Sequence, residues 1–294
     1  SLLPVRRPEF CGNSTFRTGG GDEEHGTTQL QNQQTILSNQ IVLGNVKRLV
    51  RSSIRRAGYD VVRLPPSVAK DPMLQATSTT WETVAEYTMT SEERIFALCH
   101  AVEYVVTSEI PGEIVECGVW KGGSMMAAAL TLRAMGTTDR RLNLFDTFDG
   151  MSAPGEVDRD FRGAYASDLL ASAGPDSSVL ARSPLQEVAA NIEKTGYPRD
   201  LVRFIKGPVE ETLPQHAPES IALLRLDTDW YESTRHELEH LYPRLNVGGV
   251  LIIDDYGHWA GARKAVDEYV KTRRLKLLLN RIDYTGCIGV KVEG

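Results

Sequence analysis

From residue 112 onward, short apolar runs alternate with amphipathic stretches of helical period, and this alternation limits the folds open to the chain. Strand-like runs fall over 114–117, 142–145, 201–205, 221–226 and 250–253, and two more close the chain over 275–279 and 286–291. Helical patterns fall between them, over 124–135, 184–195, 233–245 and 261–272. Strands that alternate with helices predict an α/β domain with a central, mostly parallel seven-stranded sheet flanked by helices. Sheets of this kind take ligands at the carboxyl ends of their strands, so those ends are where chemistry is sought.

Upstream, Thr90-Ser91-Glu92-Glu93 is a helix start, followed by Ile95, Leu98, Val102 and Val105 on one side. Residues 1–33 are polar and read as an arm. From about Ser38, Ile41, Val42, Val46, Leu49, Val50 and Ile54 recur at helical spacing up to Gly58. The opposite face holds Lys47, Arg48, Arg51, Arg55 and Arg56. That face suits either contact with an anionic surface or simple solvation, and the net charge of -6 favours solvation. The expected organisation is an N-terminal tail and helical extension over 1–80 and one domain over 81–294. Within it, 151–183 is irregular and rich in Gly, Ala, Ser, Asp and Pro.

The same charge argues against nucleic acid as a partner. Cys11, Cys99, Cys117 and Cys287 show no C-x-x-C spacing, so neither a zinc knuckle nor a disulfide framework is expected. No run is apolar enough for a signal peptide or a bilayer span, so a cytoplasmic protein without membrane insertion is expected.

The first strand end reads EIVECGVWKGGSMMAAALTL. Glu116 closes the strand, Gly118, Gly122 and Gly123 lie in the turn, and Ser124 starts the helix. Glycine there lets a ligand approach the backbone, although a tight turn needs glycine even without one. No lysine precedes Ser124, so this is not a P-loop, and Trp120 breaks the dinucleotide fingerprint. A NAD-dependent oxidoreductase is disfavoured on that ground. An acid at Glu116 repels pyrophosphate and favours a cationic or hydroxylated ligand, such as a sulfonium with an amino-acid tail. Asp146 ends the second strand, where an acid commonly holds ribose hydroxyls.

Further along, ALLRL ends in Asp227-Thr228-Asp229 and VLII ends in Asp254-Asp255. Neighbouring parallel strands lie about 4.8 Å apart. If these two are neighbours, Asp227, Asp254 and Asp255 converge and raise one another's pKa unless compensated. A divalent cation is the simplest compensation, and an all-oxygen set points to Mg²⁺, Ca²⁺ or Mn²⁺. Helix capping accounts for one of these acids, Asp229 or Asp255, but not for three.

His236-Glu237-Leu238-Glu239-His240 matches the helical zinc motif of metalloproteases by letter. Leu238, Leu241 and Leu245 form the apolar stripe of that helix, which places the histidines on its polar, solvent side. No third ligand is evident downstream, so a zinc hydrolase is a remote reading.

Six stretches together resemble the macrocin O-methyltransferase family: YTMTSEERI, GEIVECGVWKGGSM, FDTFDGM, GPVEETLP, LLRLDTDWYEST and LYPRLNVGGVLIIDDY. The resemblance covers about residues 80–294. It implies a Rossmann-like class I methyltransferase fold. It also implies an S-adenosylmethionine- and Mg²⁺-dependent enzyme that methylates sugar hydroxyls of macrolide and aminocoumarin antibiotics. Glu116, Gly118 and Ser124 would surround the methionine part of the cofactor and Asp146 its ribose, with Thr88 and Met89 lining the pocket. Asp227, Asp254 and Asp255 would hold the metal, and 151–183 falls where the family has a mobile lid. His258 and Trp259 lie where the acceptor would bind and match no family contact.

The implied reaction needs a base for the hydroxyl proton, and Asp227 and Asp229 are both candidates. A methyltransferase of the same fold acting on a catechol or phenol fits the same acids. A non-catalytic binding protein has no reason to keep mutually repelling carboxylates. The expected partner is a glycosylated small-molecule acceptor, with a homo-oligomer, dimer or higher, as the assembly.

Overall fold

The computed structural model describes residues 72–174, 177 and 180–293. The polar arm over 1–33 and the basic helix expected from Ser38 lie outside the described residues. By internal contacts the chain divides into Ser1–Val68 and Ala69–Gly294, and all that follows concerns the second unit.

Helices α1 (Pro72–Gln75), α2 (Ser78–Val84) and α3 (Glu92–Thr107) precede β1 (Glu113–Cys117). Then come α4 (Gly123–Ala134), β2 (Leu142–Asp146), α5 (Ala166–Ser172), α6 (Leu185–Glu193), β3 (Val202–Lys206) and α7 (Val209–Thr212). The chain ends with β4 (Ile221–Leu226), α8 (Tyr231–Leu241), β5 (Leu245–Ile253), α9 (Ala260–Arg273), β6 (Asn280–Arg281) and β7 (Cys287–Val290). One seven-stranded sheet results, ordered β3-β2-β1-β4-β5-β7-β6. Strands β1 to β5 run parallel, and β7 pairs antiparallel with both β5 and β6. The strand order reverses beside β1, so the crevice at the carboxyl ends of β1 and β4 is the expected ligand site.

The strands β1, β4 and β5 are apolar almost throughout because helices cover both faces. Ile114, Leu142, Leu144, Leu223, Val250 and Ile252 pack against α3 and α4, through residues such as Ile95, Val102, Met125 and Met126. Val115, Leu224, Leu226, Leu251 and Ile253 pack on the opposite face, against Leu238 and Leu241 of α8 and Val266 of α9.

Three boundaries differ from the sequence reading. The helix expected over 233–245 starts at Tyr231 and stops at Leu241; Pro243 lies in a 3₁₀ turn, and Leu245 already begins β5. The strand expected over 275–279 is not formed. Arg274 adopts a left-handed conformation at the end of α9, and Leu275, Leu277 and Leu279 pack beneath the sheet. Laddering with β7 begins only at Asn280. The irregular 151–183 segment contains α5, and its root is fastened. Buried Asp158 accepts from the backbone N–H of Gly155 at 2.7 Å and of Tyr231 at 2.9 Å. The Trp230 indole N–H donates to Ser152 O at 3.0 Å.

Candidate functional site

Strand register assembles the centre of the site. Arg225 lies directly beside Glu116 in the β1–β4 pair and beside Ile252 in the β4–β5 pair. Side chains alternate along a strand, so Glu116, Arg225 and Asp254, two residues past Ile252, share one face. The Arg225 guanidinium, 3% exposed, donates to Glu116 at 2.5 Å, to Asp227 at 2.6 Å and to Asp254. From α3, Arg94 reaches over the same face to Asp254, and to Asp283 at 2.9 Å. The acids therefore have two internal cations, which the sequence reading did not supply. An arginine inside the otherwise apolar run ALLRL was the available signal, since a buried guanidinium requires carboxylates.

These cations do not satisfy every acid. Oxygens of Asp227, Asp254 and Asp255 all lie within 4.8 Å of one another. The Asp255 Oδ2 atom is buried and has no hydrogen-bond partner. Asp229 meets the Asp255 carboxyl and the Trp259 side chain. Burial first, then the neighbouring carboxylates, hold Asp255 well above the usual carboxylate range. Burial raises Asp227 as well, against the pull of Arg225. Burial and Asp227 push Asp229 up to about 7. An all-oxygen trio with an orphaned buried oxygen fits a hard divalent cation. Helix capping is not the role of these acids: the residues before α8 and α9 are Trp230 and Trp259, and the first N–H of α8, that of Tyr231, is taken by Asp158.

The shifts set a pH dependence. Asp227, Asp229 and Asp255 bind protons more tightly in the folded chain than an exposed carboxylate does. So do Glu116, pushed up to about 7 mainly by burial, and Glu237, raised by burial. Their contribution to stability is complete below the ordinary carboxylate pKa and is lost as pH rises through the raised folded pKa, which for Glu116 and Asp229 is about 7. Asp283 is held below its ordinary value, so it acts in the opposite sense but only in more acidic solution. Thermal melts of the metal-free protein should therefore fall between about pH 5 and pH 8. Saturating Mg²⁺ should flatten that fall; a metal-free melting point that rises across the window contradicts the assignment.

The carboxylates border a cavity of about 340 Å³ that also takes in Thr88, Met89, Gly118, Ser124, Asp146, Asp229, His258 and Trp259. Gly118 has φ +81°, and a Cβ there would lie 1.9 Å from Asp227 O, so only glycine lets the first turn pass the end of β4. A Cβ on Gly123 would lie 2.5 Å from Tyr87 O, so its absence lets the Thr88-Met89 segment close against the turn. Asp146 accepts from the N–H of Val119 at 2.6 Å, Trp120 at 3.1 Å and Phe148 at 2.6 Å, which fixes the turn and leaves little free acceptor capacity. Glu116 corrects the sequence reading. It is 1% exposed, faces Arg225 and is not among the residues lining the cavity. Reading one strand end without its neighbour concealed this.

On the opposite wall, His258 packs edge-on to Trp259 and Phe161, and Tyr284 O–H lies 3.3 Å from His258 Nδ1. Tyr284 and Thr285, in the β6–β7 connection, also line the cavity and carried no signal in the sequence. The HELEH segment is on α8, outside the cavity lining. Its histidine rings lie 4.4 Å apart and partly exposed. Glu237, between the two histidines in sequence, is fully buried against Thr228 and Cys117. Zinc ligation by these three is therefore not supported. Among the described residues the one His/Cys/Asp/Glu group with metal-binding spacing is the aspartate trio.

A β3-β2-β1-β4-β5-β7-β6 sheet with a glycine turn after β1 defines the class I S-adenosylmethionine-dependent methyltransferase fold. The family model described as Macrocin-O-methyltransferase (TylF) matches residues 29–289. The chain belongs to this family, and it is an O-methyltransferase. It is 41% identical over 206 residues to 8-demethyl-8-(2,3-dimethoxy-alpha-L-rhamnosyl)-tetracenomycin-C 4'-O-methyltransferase of Streptomyces olivaceus, covering 70% of this chain and 76% of that one. It is 34% identical over 230 residues to Mycinamicin III 3''-O-methyltransferase of Micromonospora griseorubida, covering 78% and 88%. The solved structure of the O-methyltransferase NovP is similar with a TM-score of 0.62 and 35% identity, covering 70% of this chain and 83% of that one. No helix among the described residues is long and apolar enough to cross a membrane.

Proposed function

We propose that the protein transfers a methyl group from S-adenosylmethionine to a sugar hydroxyl of a small glycosylated acceptor, with a divalent cation at the aspartate trio. The observation that carries this reading is one cavity that joins the glycine turn after β1 to the three converging aspartates. The sugar positions named in the two curated relatives favour a sugar over a phenol.

The donor's methionine end would lie by Gly118, Ser124 and the Thr88-Met89 segment, and its ribose beside Asp146. Asp227, Asp254 and Asp255 would hold the cation, which when bound lowers the pKa of an acceptor hydroxyl and orients it. Asp229 would take the hydroxyl proton as the oxygen attacks the methyl carbon and the carbon–sulfur bond breaks. Trp259, in contact with Asp229, fixes that carboxyl, while Trp230 and Asp158 fasten the segment that brings Met151 and Ser152 into the cavity lining.

Chelation tests the reading. Protein stripped with EDTA should lose turnover while still binding S-adenosylhomocysteine, and Mg²⁺ or Mn²⁺ should restore it. Full turnover in excess EDTA would overturn the metal role.

A further inference from the structure

Beside the reaction cavity lies a second cleft, of about 330 Å³, whose lining includes Arg263 of α9 and Arg281 of β6. Tyr284 and Thr285 line both spaces, so the cleft and the reaction cavity share a wall. Both guanidiniums are held in place by backbone oxygens. Arg263 Nε donates to Tyr256 O at 2.9 Å and its Nη2 to Gly257 O at 3.2 Å, and Arg281 Nε donates to Asp283 O. Among the described residues, neither has a carboxylate ion-pair partner.

The acids nearby are occupied elsewhere. Asp283 faces Ser91 and Arg94 and also accepts from the N–H of Thr285 and Gly286. Asp267 accepts from the Tyr256 hydroxyl at 2.7 Å. The two guanidiniums line one cleft, keep unused N–H groups and have no carboxylate partner among the described residues, which is the chemistry an oxyanion is bound by. The contrast with Arg94 and Arg225, both closed by carboxylates, is direct.

We propose that Arg263 and Arg281 form an oxyanion subsite that binds an acidic group of the acceptor while its sugar occupies the reaction cavity. The acceptor class is then an anionic sugar derivative: a phosphate or diphosphate ester, or a sugar that carries a carboxylate. This depends on the sugar-methylation reading only for what the anion is attached to, because anion binding can be measured without turnover.

The test is calorimetric titration of inorganic pyrophosphate and, separately, D-glucuronate into the full-length protein saturated with S-adenosylhomocysteine. EDTA is present, so that no divalent cation bridges to the aspartates. At least one probe should bind, and R263Q/R281Q should weaken it at least tenfold, with each single variant intermediate. Stronger pyrophosphate binding assigns the subsite to a phosphorylated sugar, and stronger glucuronate binding to a carboxylated one. Both side chains are exposed, so the double variant should keep the wild-type melting point and S-adenosylhomocysteine affinity. Failure of both probes to bind, or equal binding by wild type and double variant, overturns the subsite.

Discussion

Asp229→Asn is expected to lower kcat by about two to four orders of magnitude, with affinity for S-adenosylhomocysteine unchanged. Asp229 stands outside the aspartate trio but lines the same cavity, in contact with Asp255 and Trp259. Its backbone has φ 67°, in the left-handed region that a non-glycine residue seldom occupies. That conformation turns the chain between Asp227 and Trp230, so that the carboxyl faces the cavity rather than capping α8. Burial and Asp227 raise the carboxyl up to about 7, which suits a group that must accept a proton near neutrality. Asn fills the same volume and cannot take the proton. Steady-state rates with a saturating acceptor, beside calorimetric S-adenosylhomocysteine binding, separate this from a cofactor defect. Wild-type kcat in the variant would assign the base elsewhere, with Asp227 next in line.

The second large effect concerns stability. Arg225→Met should destabilise the fold by about 3–5 kcal/mol, because the one guanidinium that faces Glu116, Asp227 and Asp254 from within the sheet is removed. Met fills the space of the arginine stem but leaves buried acids facing one another. For a unit of this size that corresponds to a fall in Tm on the order of 10 °C. The loss should be greater at about pH 8 than at pH 6, where the acids can take up protons in place of the missing cation. Thermal melts at the two pH values check this. A Tm within error of wild type at both would show that Arg225 is not what holds the acids together.

The strand-helix alternation revealed the sheet, and the acids at strand ends revealed where the site lies. Both follow from local pattern: β4 is apolar because it is covered on both faces, and Asp227 and Asp254 end neighbouring strands. What the pattern could not show was who faces whom across strands. Glu116 reads as a ligand-facing acid until its register places it against Arg225. Arg94, Tyr284 and Thr285 reach the cavity from α3 and from the β6–β7 connection, far from the strand ends that carry the recognisable motifs. Glu237 was hidden for a different reason: the leucine stripe of α8 gives the buried direction only roughly, and Glu237 lies inside it beside Leu238. The charges on Arg94 and Arg225 also reduce what a cation must supply, below what repulsion among the acids alone demands.

The claim that the aspartate trio is a metal centre beside the methyl donor is tested most directly by anomalous diffraction. Crystals grown with S-adenosylhomocysteine and Mn²⁺ should show one strong peak coordinated by oxygens of Asp227, Asp254 and Asp255, on the side of the cavity facing the bound thioether. No peak at that position under saturating Mn²⁺, or a peak held by His236 and His240, would contradict the account.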